Sequence, residues 1–256
     1  MAKRLRIALL SFILLLVALN AWFTRQDITG WEQPLRVVIY PINADGSPAS
    51  EHYIGELRAD SFRAIEDFFR RESGRYGRDL STPVEIDMAP APASASPPDL
   101  PRERNVLQVM LWSLRLRYWA WTADEYPGPT PQVRLFVQYY DPQRFPRLEH
   151  SVGLSKGALA LIKAFASRTM GAQNNVIIAH ELLHTLGATD KYDPRTNLPL
   201  YPDGYAEPDL APRHPQSRAE IMAGRTPLSP TRAETPAGLH AAVVGAATAR
   251  EIGWLD

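Results

Sequence analysis

The run His180-Glu181-Leu182-Leu183-His184-Thr185-Leu186-Gly187-Ala188-Thr189-Asp190 constrains this chain more than any other feature. In a helix, positions i and i+4 lie on one face a turn apart, so His180 and His184 project their rings to the same side and can share one ion. Glu181 stands beside that face, able to reach a water at the ion without ligating it, which is where a general base belongs. The apolar lead-in Val176-Ile177-Ile178-Ala179 buries the start of the helix and fixes its ligands. Gly187 tolerates the left-handed backbone that ends a helix, so the chain can turn there and return Asp190 toward the imidazoles. Any fold for this sequence has to provide a rigid helix, an abrupt reversal and a cleft facing both.

Two neutral imidazoles and one carboxylate give a zinc site a formal charge of about +1, with a fourth position left for water. Asp193 competes for the third position, and Asp190 is preferred because its offset matches the turn. A glutamate from a later helix is the other layout. It ranks behind, because Pro208 opposes a helix through Glu207 and no helix is legible around Glu220.

HExxHxxGxxD resembles the metzincin zinc signature in the variant where aspartate replaces the usual third histidine, as in snapalysin-type peptidases. The resemblance implies Zn2+ held by His180, His184 and Asp190, Glu181 as general base, and a protein or peptide substrate. It also implies an α+β, metzincin-like fold: a mixed twisted sheet, a backing helix, an active-site helix, and an irregular C-terminal subdomain ending in a helix. Members carry a methionine turn beneath the metal, for which Met222 in Glu220-Ile221-Met222-Ala223-Gly224 is the candidate. Some have a tyrosine two residues after that methionine; here the position is Gly224, so a transition-state tyrosine has to come from elsewhere, with Tyr192, Tyr201 and Tyr205 as candidates. The likeness is strong over the motif and rests on element order alone from Leu35 onward.

A chain of 256 residues with 45% hydrophobic content suffices for one main domain. Lys plus Arg and Asp plus Glu balance at 28 each, so there is no basic field to recruit nucleic acid, and no nucleic-acid partner is expected. The absence of cysteine excludes disulfides and thiolate metal ligands. Lys3, Arg4 and Arg6 precede an uncharged run over 7–23, which reads as a transmembrane signal anchor, with a cleaved signal peptide as the other reading. The expected organisation is a cytoplasmic tail (1–6), the anchor (7–23), a linker (24–34) and a peptidase-like domain (35–256), extracytoplasmic at a bacterial inner membrane.

Within that domain, 35–40 reads as a strand before the turn Asn43-Ala44-Asp45-Gly46. Residues 51–71 carry helical spacing of Ile54, Leu57, Phe62, Ile65, Phe68 and Phe69. The Ala-, Pro- and Ser-rich stretch 89–101 reads as a loop joining strands that need each other. Leu114 and Leu116 alternate with Ser113, Arg115 and Arg117, so 106–121 reads as one or two strands. Further strands are expected over 133–140, 150–154 and 158–165, the last also compatible with helix, and the His150 region is the expected edge strand for extended substrate. From Asp190 to Pro236 the chain is loop-like and suits a cleft wall, with His214 a surface histidine; 239–252 reads as the terminal helix.

The sequence thus leads to a membrane-anchored zinc endopeptidase in which Glu181 deprotonates the attacking water. The alternatives are a non-catalytic, metal-stapled envelope binding protein, which a structural site with four protein ligands would suit better, and a hydrolase of a non-peptide amide.

Overall fold

In a computed structural model, the described residues are 28–256 apart from 79, 93–95, 100, 102–104, 149–151 and 155–157. The sheet is built from β1 (Leu35–Asn43), β2 (Val84–Met88), β3 (Val133–Tyr140), β4 (Val152–Leu154) and β5 (Leu159–Phe165), in the order β2-β1-β3-β5-β4. The first four of that order run parallel, and β4 closes one edge antiparallel to β5. Parallel strands are covered on both faces and therefore read as near-continuous apolar runs. In β1 and β3, successive residues Val37 to Tyr40 and Leu35 with Val133, Leu135, Phe136 and Val137 are all buried.

The core accordingly divides between the two faces. On one, Val37, Ile39, Leu135, Val137 and Ile162 meet Phe68, Phe69, Ile178 and Leu182, which come from helices α2 (Arg63–Arg75) and α4 (Gly171–Thr185). On the other, Val38, Tyr40, Phe136 and Leu161 meet Trp112, Leu116 and Ala120 of α3 (Val106–Thr122). The chain is a mixed α/β protein with a parallel central sheet and several helices. Ile28 and Trp31 are buried too, and the Trp31 indole donates to the Ile252 carbonyl at 2.7 Å, joining the start of the described chain to its end.

The strands expected over 133–140 and 158–165 are present as β3 and β5, and β1 continues through Pro41 to Asn43. The helical stretch over 51–71 is divided: α1 (Pro48–Glu56) is capped by the Ser47 hydroxyl, which accepts from the Ser50 N–H at 3.1 Å. Leu57 and Arg58 are then extended, and a short 3₁₀ turn at Ala59–Phe62 restarts the helix as α2.

The segment 106–121 is corrected from strand to helix. Its alternation is local, whereas Trp112, Leu116 and Ala120 recur every four residues and are the ones buried. Leu, Met, Arg and Gln favour helix, a strand of such length is rare, and the Asn105 side chain caps the N-terminus by accepting from the Gln108 N–H at 2.9 Å. The stretch 239–252 is also corrected: a 3₁₀ turn (Leu239–Ala241) leads into a two-residue strand (Ala242–Val243), and only Ala246–Glu251 (α5) is helical. Ala242 is already extended and pairs in that strand, and Gly245, extended at φ −75° and ψ 164°, is the N-cap from which the short helix starts.

The single-pass inner-membrane placement is likewise corrected. Among the described residues no helix is long and apolar enough to cross a membrane. Even the seventeen-residue α3 spans only about 25 Å against a hydrocarbon core of about 30 Å. The tail (1–6) and the 7–23 run that carried the expectation lie outside the described residues, as does His150 of the expected edge strand.

Candidate metal centre

Helix α4 is set against the sheet at its beginning. The Asn174 side chain accepts from the Phe165 N–H at 3.1 Å and donates to the Phe165 carbonyl at 2.8 Å, fastening the helix to the end of β5, while Asn175 donates to the Ser61 carbonyl at 3.0 Å. Val176, Ile178, Ala179, Leu182 and Leu183 are buried, so the lead-in is the rigid support its sequence predicts. Gly187, at φ +105°, ends the helix, and the Ala188 N–H turns back to the Leu183 carbonyl at 3.0 Å.

That reversal brings Asp190 to the histidines. One carboxylate oxygen, Oδ1, lies 3.3 Å from His180 Nε2 and 3.1 Å from His184 Nε2. The three side chains form a group able to hold a metal ion, with candidate ligand atoms all within 4.8 Å of one another. Each imidazole is oriented through its other nitrogen: His180 Nδ1 donates to the Ile221 carbonyl at 2.9 Å, and His184 Nδ1 to the Ala188 carbonyl at 2.8 Å. A carbonyl can only accept, so both Nδ1 atoms carry their protons, and in the neutral rings both Nε2 atoms present lone pairs.

Two lone pairs aimed at one carboxylate oxygen repel it unless positive charge lies among them, as protons on the rings or as a cation. The donor set therefore fits a divalent ion that prefers nitrogen and oxygen ligands. Electrostatics agree. Burial pushes the His180 imidazole down, but Asp190, Glu181 and the Ile221 carbonyl outweigh it and the net shift is upward. For Asp190, burial raises the carboxyl, and the two histidines more than offset this, holding it far below the usual carboxylate range. His180 and His184 are mostly covered while Asp190 is nearly half exposed, so the group opens to solvent on the aspartate's side.

Glu181 is buried, one residue from His180 and close enough to act on it electrostatically. Of the three tyrosines, Tyr192 is the one that senses this group: burial raises its hydroxyl, and Asp190 and Glu181 raise it further. Tyr205 instead hydrogen-bonds His214 at 3.1 Å, and Tyr201 lies under the Arg213 guanidinium. Asp193 is taken by the N–H groups of Arg195 (2.8 Å) and by its own turn, and Glu207 by Ser217. Glu220 is sealed in the interior, accepting from the N–H groups of Met222 and Ala223 and from Thr248. None of these three competing carboxylates reaches the histidines.

Met222 is fully buried in the turn from Glu220 to Gly224, whose Ile221 carbonyl orients His180. The turn is also joined to the strand of chain after Asp190, because the Lys191 N–H donates to the Met222 carbonyl at 3.0 Å. One supporting side chain escapes a reading of the sequence. Glu251 in α5 accepts from the Thr189 N–H and hydroxyl at 2.9 and 2.6 Å, and from the Lys191 ammonium at 2.8 and 2.7 Å, fixing both neighbours of Asp190. In the sequence Glu251 is one more charged residue near the chain's end, and nothing in the spacing signals its role. Compared with known proteins, the chain matches no family model, and no curated protein matches it either.

Proposed function

We propose that this chain is a zinc endopeptidase of metzincin type, with His180, His184 and Asp190 as ligands and Glu181 as general base. The observation that carries the reading is the commitment of both Nδ1 atoms to backbone carbonyls while both Nε2 atoms converge on one Asp190 oxygen. Such outer partners fix ring orientation and tautomer in metal-binding histidines. Three protein ligands, rather than four, suit a catalytic ion better than a structural staple. When bound, zinc supplies Lewis acidity that lowers the pKa of water toward neutrality and polarises a carbonyl.

The protein's own groups do the remainder. Glu181 accepts a proton from the attacking water as the water oxygen bonds to the scissile carbonyl carbon, then returns that proton to the leaving nitrogen as the C–N bond breaks, giving a carboxylic acid and an amine that exchange the second water proton to become carboxylate and ammonium. Burial of Glu181 beside His180 keeps it in place for both transfers. Strand β4 supports the choice of an extended peptide as substrate. It ends the sheet order next to β5, and α4 packs against both strands, so a peptide adding to that edge lies alongside the helix that carries the histidines. The buried Met222 supports the reading as the candidate for the methionine turn, since the carbonyl of the neighbouring Ile221 bonds His180, and Tyr192, which senses Asp190 and Glu181, is the candidate tyrosine.

The test is elemental analysis of the purified chain beside a digest of a peptide library, with and without a zinc chelator. Stoichiometric zinc, chelator-sensitive internal cuts, and loss of cutting in Glu181→Gln with zinc retained are the expected results. Zinc without any peptide cleavage would point to a binding protein or to another amide as substrate, and undiminished cleavage by Glu181→Gln would remove the base from its role.

A further inference from the structure

Helix α3 has two apolar faces, and the fold uses one. Trp112, Leu116 and Ala120 pack on the sheet. On the opposite side Leu107, Leu111, Leu114, Tyr118 and Trp121 recur at alternating intervals of four and three residues, which makes one continuous stripe along the helix. All five are exposed, Leu114 by 63% and Trp121 by 74%, with Met110 beside them at 59%. Scattered apolar surface residues are ordinary, but a contiguous stripe of this kind marks an interaction surface.

The polar residues identify the occupant. At about 100° per residue, Arg115 and Arg117 fall on either side of the stripe, and both are exposed. The helix contains no acidic residue. Aliphatic side chains along the centre, arginines on both margins, and Tyr118 and Trp121 toward one end form the pattern of a helix lying in the plane of a lipid surface. In that setting the arginine stems lie along apolar surface while their heads meet negative charge. A second copy of the chain suits the stripe less well. Two heptads of seam are far smaller than a stable interface of about 1,600 Å², and copies meeting there bring no carboxylate from the helix to pair with the arginines.

We propose that the outer face of α3 docks this protein on an anionic bilayer surface, the helix lying on the membrane without crossing it. The inference is independent of the metal site and of the 7–23 run. The sheet separates α3 from α4, so the docked face is turned away from the helix that carries the histidines.

The chain has no cysteine, so a single thiol reports one position. Full-length Leu114→Cys, and as the reference Arg232→Cys, an exposed position in the antiparallel hairpin of Thr226–Ser229 and Arg232–Glu234, are labelled with nitrobenzoxadiazole and mixed with vesicles of phosphatidylcholine with or without phosphatidylglycerol. The expected result is a blue shift and quenching by brominated lipid at position 114 alone, on the anionic vesicles. Neutralising Arg115 and Arg117 to Gln in the labelled chain lowers the partition coefficient about 30-fold, taking roughly 1 kcal/mol for each arginine. A silent probe at 114, or equal responses on neutral and anionic vesicles, overturns the proposal. So does a blue shift before lipid is added, which would mean that another part of this chain or a second copy covers the stripe; sedimentation separates those two.

Discussion

Replacing Glu251 by alanine removes the carboxylate that holds both neighbours of Asp190. In the parent, Lys191 has 7% of its side chain exposed and Glu251 29%, and the pair is joined at 2.7 Å. Breaking a fully buried pair by deleting one partner costs roughly 3–5 kcal/mol, because the surviving charge is left without its counter-ion. Here the cost is smaller. Glu251 is partly in water, and the ammonium keeps its bonds to the Thr189 carbonyl and hydroxyl at 2.8 Å each. A loss of about 2–3 kcal/mol follows, or a fall in Tm of about 6 °C for a chain of this length.

On the zinc reading proposed above, the same change frees the backbone on both sides of Asp190, the third ligand of that reading. Partners at this remove from a metal typically alter affinity by about 10- to 100-fold, so the zinc dissociation constant should rise within that range. Calorimetry of the chelator-treated protein reads the first effect, and competition with a chromophoric chelator the second. Glu251→Gln, which keeps an amide oxygen for the Thr189 N–H, should recover part of the affinity. The double variant Lys191→Met/Glu251→Leu should be less destabilised than the two single losses added together, since neither charge is left stranded. A Glu251→Ala protein that melts lower but binds zinc as tightly as the parent would show that the clamp supports the fold without positioning Asp190.

Three further outcomes follow from the same structure. Asp190→Ala should lose zinc at a chelator concentration the parent survives, while Asp193→Ala keeps it, as read by elemental analysis after dialysis. Gly204→Ala should destabilise by about 3 kcal/mol in denaturant titration, because its Cβ would fall 2.3 Å from the Lys191 carbonyl oxygen and 2.7 Å from the Leu200 nitrogen, both backbone atoms that cannot step aside. Burial pushes the Asp45 carboxyl up, but the N–H groups of Asp141 and Ser47 and nearby hydroxyls outweigh it and hold it down to about 2. A lowered folded pKa contributes stability that is full above the ordinary carboxylate value near 4 and is lost as pH falls toward 2. The stability gap between the parent and Asp45→Ala should therefore be widest at neutral pH and narrow across that window in urea melts.

What could be read in advance follows the range of the interactions involved. The histidine pair, Gly187 and the return of Asp190 are set within eleven residues by helix geometry and one left-handed glycine, and the structure brings those groups together. Strands β3 and β5 were legible because a strand covered on both faces shows itself as an unbroken apolar run. Segment 106–121 misleads for the opposite reason. It is apolar on two faces of a helix, so residues of the outer stripe fall between those of the inner one and imitate a period of two.

The supports of the site were hidden by distance along the chain. The Ile221 carbonyl that orients His180 is 41 residues away, and Glu251 is 62 from Thr189. A backbone carbonyl leaves no mark in composition, and a lone glutamate on a short helix resembles any solvated one. The glutamate that did attract notice, Glu220, proves the contrast. Read as a rival ligand, it instead holds the turn that presents Ile221, through the N–H groups of Met222, Ala223 and Gly245 and the Thr248 hydroxyl. Burial raises its carboxyl even with four donors gathered around it. Glu220→Gln puts an amide NH₂ where an acceptor is required, facing N–H groups that cannot accept. The turn has to shift, and with it the carbonyl that fixes His180. If the group of His180, His184 and Asp190 holds zinc as proposed, its affinity should fall alongside the melting temperature, whereas a Glu220 serving only the interior would lower the melting temperature and leave metal binding untouched.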